Sequence, residues 1–339
     1  MDEPRDLTQE ALAAALRKRY AIDVVAMEFL GVGEDTDAWV YRVDTEHESQ
    51  RYLLKIRATG ESKEAAFAVP RYLYESGVRH VVAPVRSTTQ SLSVQEGRFS
   101  LTVYPFIDGS TGVEAGLSEQ HWRALGCLVK QLHTSPLPSH LVELLAAETY
   151  RPAEVELVRR VDRAVSCTSF ADPSALEVAA FWKSHRREIS TLVERTEALG
   201  PQVQRLSLPL VLCHADLHTW NVMIDSDGEL WVVDWDEVIR APKERDLMFF
   251  VDGIGADLVK PHETAWFFDG YGEAAVDPLA LSYYRYAWAV QDVGGYGERV
   301  LLTPDIGEES RSHAARILLG LFDPDGTVEL AFASDDATT

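Results

Sequence analysis

The stretch NVMIDSDGELWVVD (221–234) restricts the fold more than any other in the chain. Two apolar runs flank Asp227-Gly228, and an Asp-Gly pair so placed is the preferred signal of a two-residue hairpin turn. A turn centred there predicts a ladder in which Ile224 faces Trp231, Val222 faces Val233 and Asn221 faces Asp234. Directly opposed residues share one face of the ladder, with Cβ atoms about 5 Å apart. The expected hairpin therefore carries an amide oxygen and a carboxylate side by side at its open end. These are hard oxygen donors of the kind that Mg²⁺ takes.

Immediately upstream lies HADLHTW (214–220), directly after the apolar run VLC. Asp216 precedes Asn221 by five residues, which gives H-x-D-x-x-x-x-N, and Asp234 supplies a later carboxylate. This is the spacing of a phosphotransferase catalytic loop. There the Asp accepts the proton of the attacking hydroxyl, and the Asn and the later Asp bind metal. Trp235 and Asp236 stand where protein kinases carry Phe-Gly. Two other readings compete. His214, Asp216 and His218 are conceivable ligands of a metal hydrolase, but the segment has no H-x-H-x-D-H, no H-E-x-x-H and no cysteine partner. That reading also leaves the register of Asn221 and Asp234 unused. Alternatively, His214 and Asp216 are satisfied polar groups of a buried turn. For His214 itself a bracing role of this kind is the expectation.

A phosphotransferase needs a cation on the nucleotide phosphates. Lys55 in YLLKIR lies mid-strand on an alternating pattern and fits that role, although alone it reads as an ordinary surface lysine. Its rotamer calls for a carboxylate, and of Glu64 and Glu75 in the next helical segment, Glu64 is the expected partner. Gly31 and Gly33 in LGVG suit a loop that covers phosphates with backbone N–H groups. The third glycine of such a loop is missing, with Thr36 near its place, and a plain hairpin turn fits equally. No G-x-x-x-x-G-K-[ST] occurs, so a P-loop fold is excluded.

The surrounding pattern is a small β-rich lobe (1–104), a turn-rich joint (105–110), a larger helical lobe (111–330) and a disordered tail (331–339). Residues 8–20 read as a helix capped by Thr8. Strands follow within 25–57, near 80–86 and over 92–104, with a helix at 62–76 that Pro70 must kink or divide. Ser118 begins a helix with Trp122, Leu125, Val129 and Leu132 on one stripe. Helices then dominate, apart from the hairpin region. The fold class expected is α+β. The joint, with Tyr104 and Phe106, is the expected place for adenine, held by backbone groups.

Composition narrows the function further. The formal charge of −22 counts against nucleic-acid binding and favours cationic ligands, or simply keeps the protein soluble. No apolar run is long enough to cross a membrane. The acidic N-terminus is not a secretory or mitochondrial signal. Three widely spaced cysteines without C-x-x-C point to a reducing cytoplasm. Protein partners leave no trace in the sequence.

With these residues in view, HADLHTWNVMI followed by VVDWDEVIRAPKERDLMFF resembles the aminoglycoside phosphotransferase family, whose hallmark is H-x-D-x-x-x-x-N, then D-x-D and a nearby D-L. The Ala-Pro-Lys-Glu-Arg-Asp-Leu segment, Gly77-Val78 to Ala83-Pro84 and YYRYAWAVQDV (283–293) look most like its spectinomycin phosphotransferase branch. The resemblance runs from about residue 25 to 300. It implies a two-lobed, protein-kinase-like fold and transfer of the ATP γ-phosphate to a hydroxyl of a cationic aminocyclitol. Asp216 would be the catalytic Asp, Asn221 and Asp234 the Mg²⁺ ligands, Lys55 the contact to the α- and β-phosphates, and Asp246 a brace for the catalytic loop. The family often has Gly where Ala215 stands. A cationic amino sugar needs carboxylates and flat apolar walls, for which Asp292, Trp266 and Asp269 are the candidates. Only eleven residues separate Asp234 from Asp246, which leaves no room for the activation segment of a protein kinase. A choline, homoserine, fructosamine or methylthioribose kinase, or a nucleotide-binding pseudokinase, remains open on the same scaffold.

Overall fold

The computed structural model describes residues 7–31, 38–46, 50–58, 63–251, 253–254, 259–304 and 306–335. Its strands, in chain order, are β1 (Val24–Phe29), β2 (Ala38–Thr45), β3 (Arg51–Ala58), β4 (Val94–Glu96), β5 (Phe99–Pro105), β6 (Gly109–Thr111), β7 (Val211–Cys213), β8 (Val222–Asp225), β9 (Leu230–Val232) and β10 (Ile239–Ala241). The class is α+β, as expected. Two compact units divide the chain. One comprises Met1–Leu117, Pro136–Leu145 and Thr219–Val238; the other comprises Ser118–Ser135, Ala146–His218 and Ile239–Thr339.

In the first unit, five antiparallel strands form a sheet of order β1-β2-β3-β5-β4. Period-two alternation sends Leu54 and Ile56 of β3 into a core with Tyr41, Val43, Leu101 and Val103. The helix Gln9–Tyr20, capped by Thr8, closes that core with Leu12, Leu16 and Tyr20. The Tyr20 hydroxyl donates to the Leu101 carbonyl at 2.9 Å, which satisfies a phenol that would otherwise be buried without a partner. Lys55, between the two apolar residues, points to the other face. The helix Glu64–Glu75 runs through Pro70 undivided, with Val69, Pro70 and Leu73 buried.

A second sheet of this unit has the order β6-β8-β9. Gly109 is required in it, since a Cβ there would lie 1.9 Å from the Ile224 carbonyl oxygen. The segment expected as a strand near 80–86 contributes only a parallel bridge, Val81 to Val232. It is tied by Val232 N–H to His80 O (2.8 Å) and Val82 N–H to Val232 O (3.1 Å).

The second unit is helical around Pro278–Leu301, a 24-residue helix with fifteen buried residues. Helices Glu154–Cys167, Arg186–Leu206, Glu308–Gly320 and Thr327–Ala333 pack on it. Glu119–Thr134 carries the expected stripe of Trp122, Leu125, Val129 and Leu132, all buried, and crosses Pro261–Tyr271 at close range. A Cβ on Gly126 would meet the Phe267 carbonyl at 2.1 Å, and one on Gly270 the Arg123 carbonyl at 1.9 Å. The tail expected to be disordered from 331 is ordered to 335. Ala331 and Ser334 are buried there, and Asp335 accepts from the Tyr286 hydroxyl (3.0 Å) and the Arg195 guanidinium. Residues 336–339 lie outside the described residues.

Candidate active site

The hairpin forms, but one residue out of the expected register. Observed pairs are Val222–Val232, Met223–Trp231 and Ile224–Leu230. The cause is a three-residue loop, Ser226–Gly228, closed by Asp225 N–H to Glu229 O (3.0 Å) and Gly228 N–H to Asp225 O (3.0 Å). Gly228 lies at φ +80°, the left-handed end of a turn with a bulge. Asp225 selects this longer loop. Its Oδ1 accepts from the backbone N–H of Asp227 (3.0 Å) and Glu229 (2.8 Å), and its Oδ2 accepts from Trp231 Nε1 (2.7 Å). A two-residue turn would forgo these bonds. Asn221 consequently pairs with Val233, whose N–H donates to the Asn221 carbonyl at 3.0 Å, and not with Asp234. Simple alternation would then send Asp234 to the opposite face. However, β9 ends at Val232 and Asp234 adopts φ +59°, so the alternation is broken before the carboxylate. Asn221 and Asp234 both lie at the open end of one hairpin, with Asp234 one residue beyond the Val233 that pairs with Asn221.

Lys55 joins this end of the hairpin. Its Nζ donates to Asp236 Oδ2 at 2.7 Å and Asp234 Oδ1 at 3.1 Å. Arg57, two residues along the same strand face, donates to the same Asp236 oxygen. Burial works against the Lys55 charge, but Asp234 and Asp236 outweigh it, and the ammonium holds its proton above the usual lysine range. Burial likewise opposes ionisation of Asp236. Lys55 and Arg57 overcome this and bring its carboxyl down to about 2. The expected partner Glu64 is exposed at the start of its helix, and Asp236 with Asp234 takes its place. Glu75 binds Arg71 and Arg86. The sequence reading assigned Asp236 no role, though its spacing two residues after Asp234, and the Lys55/Arg57 pair two apart on one strand, carry the signal.

This cluster gives a pH prediction. A carboxyl lowered from 3.8 to about 2 contributes about 2 kcal/mol that is complete above the unfolded value and lost as pH falls through the folded one. Asp236→Asn should therefore lower stability at pH 6, and its deficit relative to wild type should shrink between about pH 4 and pH 2. Urea titrations across that range check this, and a deficit independent of pH would refute it.

Tyr104 lies opposite Leu53, on the sheet face that carries Lys55. Burial pushes its phenol well above the usual range, and the charges of Asp236 and Asp234 add to the shift. The Phe106 N–H donates to Arg51 O at 3.0 Å, so this amide serves the sheet. Gly31 follows β1 at φ +57°, a left-handed turn that glycine takes without strain. Gly33 and Thr36 lie outside the described residues.

In the second unit, β7 and β10 pair and deliver the loop His214–His218. Asp246 braces it. One carboxylate oxygen accepts from His214 N–H (3.0 Å) and His133 Nε2 (3.0 Å), the other from Ala215 N–H (2.7 Å). His133 in turn contacts the Tyr271 hydroxyl through Nδ1 at 2.8 Å. Complete burial would raise the Asp246 carboxyl, but the His133 bond, the nearby His133 and His214 imidazoles and the Ala215 N–H bring it below its ordinary value. Ala215 lies at φ +69°, which explains why glycine suits this position and costs alanine about 1 kcal/mol. His214 is fully buried, in keeping with a bracing residue. His133 escaped the sequence reading because it extends an apolar stripe, directly after Leu132.

Asp216, with 22% of its side chain exposed, has an oxygen 3.2 Å from His218 Nε2. The His218 ring meets the edges of Phe249 (6.1 Å) and Trp288 (6.4 Å), which contact each other at 5.0 Å. Asp292 lies one helical turn beyond Trp288 on the central helix. Asp269 and Trp266, the other substrate candidates, each have a partner. Asp269 is exposed and paired with Arg123 at 3.0 Å, and Trp266 stacks edge-on with His262 at 4.6 Å. Phe267 and Tyr271 are core. Among the described residues, the three cysteines are free.

One unit carries a lysine set among aspartates at a β-hairpin and the other an aspartate on a loop braced by a second aspartate, residue types that a phosphotransferase of the protein-kinase-like class uses. The chain matches the model of the APH family, described as the phosphotransferase enzyme family, over residues 28–279, and it belongs to that family. It is similar to the solved spectinomycin phosphotransferase APH(9)-Ia in complex with ADP and spectinomycin, with 33% identity over 98% of this chain and 99% of that one and a TM-score of 0.87. The AMP-bound form of that enzyme gives 31% identity over 96% and 99%, with a TM-score of 0.82. Choline kinase LicA from Streptococcus pneumoniae shares the fold at 14% identity, covering 92% of this chain and 98% of that one, with a TM-score of 0.57.

Proposed function

We propose that this enzyme transfers the γ-phosphate of ATP to a hydroxyl of a cationic aminocyclitol, with spectinomycin the first compound to test, and that it acts in the cytoplasm. The observation that carries the reading is 33% identity over 98% of the chain to an enzyme whose structure holds ADP and spectinomycin. Support for phosphoryl transfer comes from the residues themselves. Lys55 is charged, largely buried and already held by carboxylates, so an incoming triphosphate finds a cation fixed in place. Asp236 is also paired with Arg57, which keeps that carboxylate compensated when Lys55 turns to the phosphates.

Asn221 and Asp234 offer an amide oxygen and a carboxylate at one end of a hairpin, a donor set that fits Mg²⁺. Bound there, the ion would neutralise charge on the phosphates. Asp216 orients the acceptor hydroxyl for in-line attack. The new O–P bond forms as the bond from the γ-phosphorus to the bridging oxygen breaks. ADP departs with that electron pair, and the hydroxyl proton passes late to Asp216. Positioning and electrostatics supply most of the acceleration. The net charge of −22 draws a cationic acceptor toward the protein.

The test is ADP release with ATP and Mg²⁺ over spectinomycin, other aminocyclitols and aminoglycosides, choline, homoserine and methylthioribose. Spectinomycin-dependent release is expected. Turnover confined to choline or another metabolite would replace the substrate class, and ATP binding without turnover on any acceptor would make the chain a pseudokinase.

A further inference from the structure

His218 is absorbed by none of the roles above, yet its ring nitrogen lies within hydrogen-bond distance of the carboxylate proposed to carry the chemistry. We infer that His218 is a positioning residue for Asp216, an inference that rests on the phosphotransferase reading. Its Nε2 lies 3.2 Å from Asp216 Oδ1. A carboxylate only accepts hydrogen bonds, so Nε2 carries the proton, and the neutral ring is the Nε2–H tautomer. That assignment decides between two roles. A relay that took the proton onward from Asp216 would need an acceptor at Nε2, and an Nε2–H cannot accept one. The bond instead ties one Asp216 oxygen and so fixes the orientation of the carboxylate.

The imidazole is itself fixed. Phe249 and Trp288 are buried and meet it in T-shaped contacts. Arg245 lies 5.6 Å from the centre of the Trp288 ring and 5.8 Å from that of Tyr284, which stiffens the slot from behind. Phe249 comes three residues after Asp246. One short segment therefore holds the loop twice, through the Asp246 carboxylate on the backbone of His214 and Ala215, and through the Phe249 ring against His218. With 26% of the His218 side chain exposed, the pair is more than a surface contact, which alone would be worth little.

The test compares His218→Leu with His218→Gln. Leucine fills the slot without a donor, whereas the glutamine amide places an N–H close to the Nε2 position. His218→Leu should lower kcat on the order of 10- to 100-fold, the cost of a carboxylate displaced by a fraction of an ångström to an ångström. KM for ATP and Tm should stay near wild type, and His218→Gln should recover most of the rate. Nitrogen-15 spectra of the histidines should place the His218 proton on Nε2 in wild type, with that resonance shifting in Asp216→Ala. Wild-type kcat in His218→Leu overturns the inference. So does equal loss in both variants with a parallel fall in Tm, or a proton found on Nδ1 alone. Absence of wild-type turnover on every acceptor removes the phosphotransferase reading instead, and the inference with it.

Discussion

Asp216→Asn lowers kcat on the order of 10³-fold and leaves ATP affinity unchanged, the loss expected when a positioned proton acceptor is removed. The substitution keeps the volume and one oxygen, so the loop, braced from beneath by Asp246, has no reason to rearrange. It removes the negative charge proposed to accept the hydroxyl proton. Lys55, Asn221 and Asp234, the residues proposed to meet the nucleotide and its metal, are not altered. Nucleotide titration by fluorescence or calorimetry should give the wild-type Kd, while single-turnover mixing with saturating acceptor isolates the slow step. A variant with rapid single turnover would end the assignment of Asp216, and a variant that no longer bound ATP would make it structural.

Much of this site could be read from residues alone, for reasons that differ by element. H-x-D-x-x-x-x-N is legible because five-residue spacing along one segment depends little on the rest of the fold. Lys55 was legible because period-two alternation fixes its face, with Leu54 and Ile56 buried on either side. Its partner was not, because Asp236 lies 181 residues away along the chain and Glu64 was merely the nearer carboxylate. The hairpin register failed at one side chain. Asp-Gly gave the turn its place, but Asp225 bonds two backbone N–H groups and an indole, lengthens the loop and shifts every pair by one. Pro70 illustrates the same limit. Proline predicted a break, and the helix continues through it with Val69, Pro70 and Leu73 packed in the interior. The contacts of Asp269 with Arg123 and of Trp266 with His262 were not legible, since nothing in their local sequence announced those partners.

The brace beneath the loop should prove the costliest position to alter. Asp246→Ala leaves the His214 N–H, the Ala215 N–H and His133 Nε2 without their acceptor in a site closed to solvent. Each buried donor so stranded costs about 1–3 kcal/mol. Partial relaxation and water entry reduce the sum, and a loss of roughly 3–5 kcal/mol is expected in urea unfolding at pH 7. Asp246→Asn should fare only moderately better, because its amide turns N–H donors toward backbone N–H donors. The pH dependence separates the carboxylate from mere packing. The folded carboxyl lies below its ordinary value of 3.8, so its stabilisation is complete above that value and vanishes as pH falls through the folded one. Burial opposes the ionised form, and the groups that hold it are the His133 hydrogen bond, the neighbouring His214 and the Ala215 N–H. As pH falls below that ordinary value of 3.8, the wild-type advantage over Asp246→Ala should therefore contract. An advantage that stayed constant from pH 7 to pH 2 would mean that the residue fills space, and that the loop carrying Asp216 is held by something other than this carboxylate.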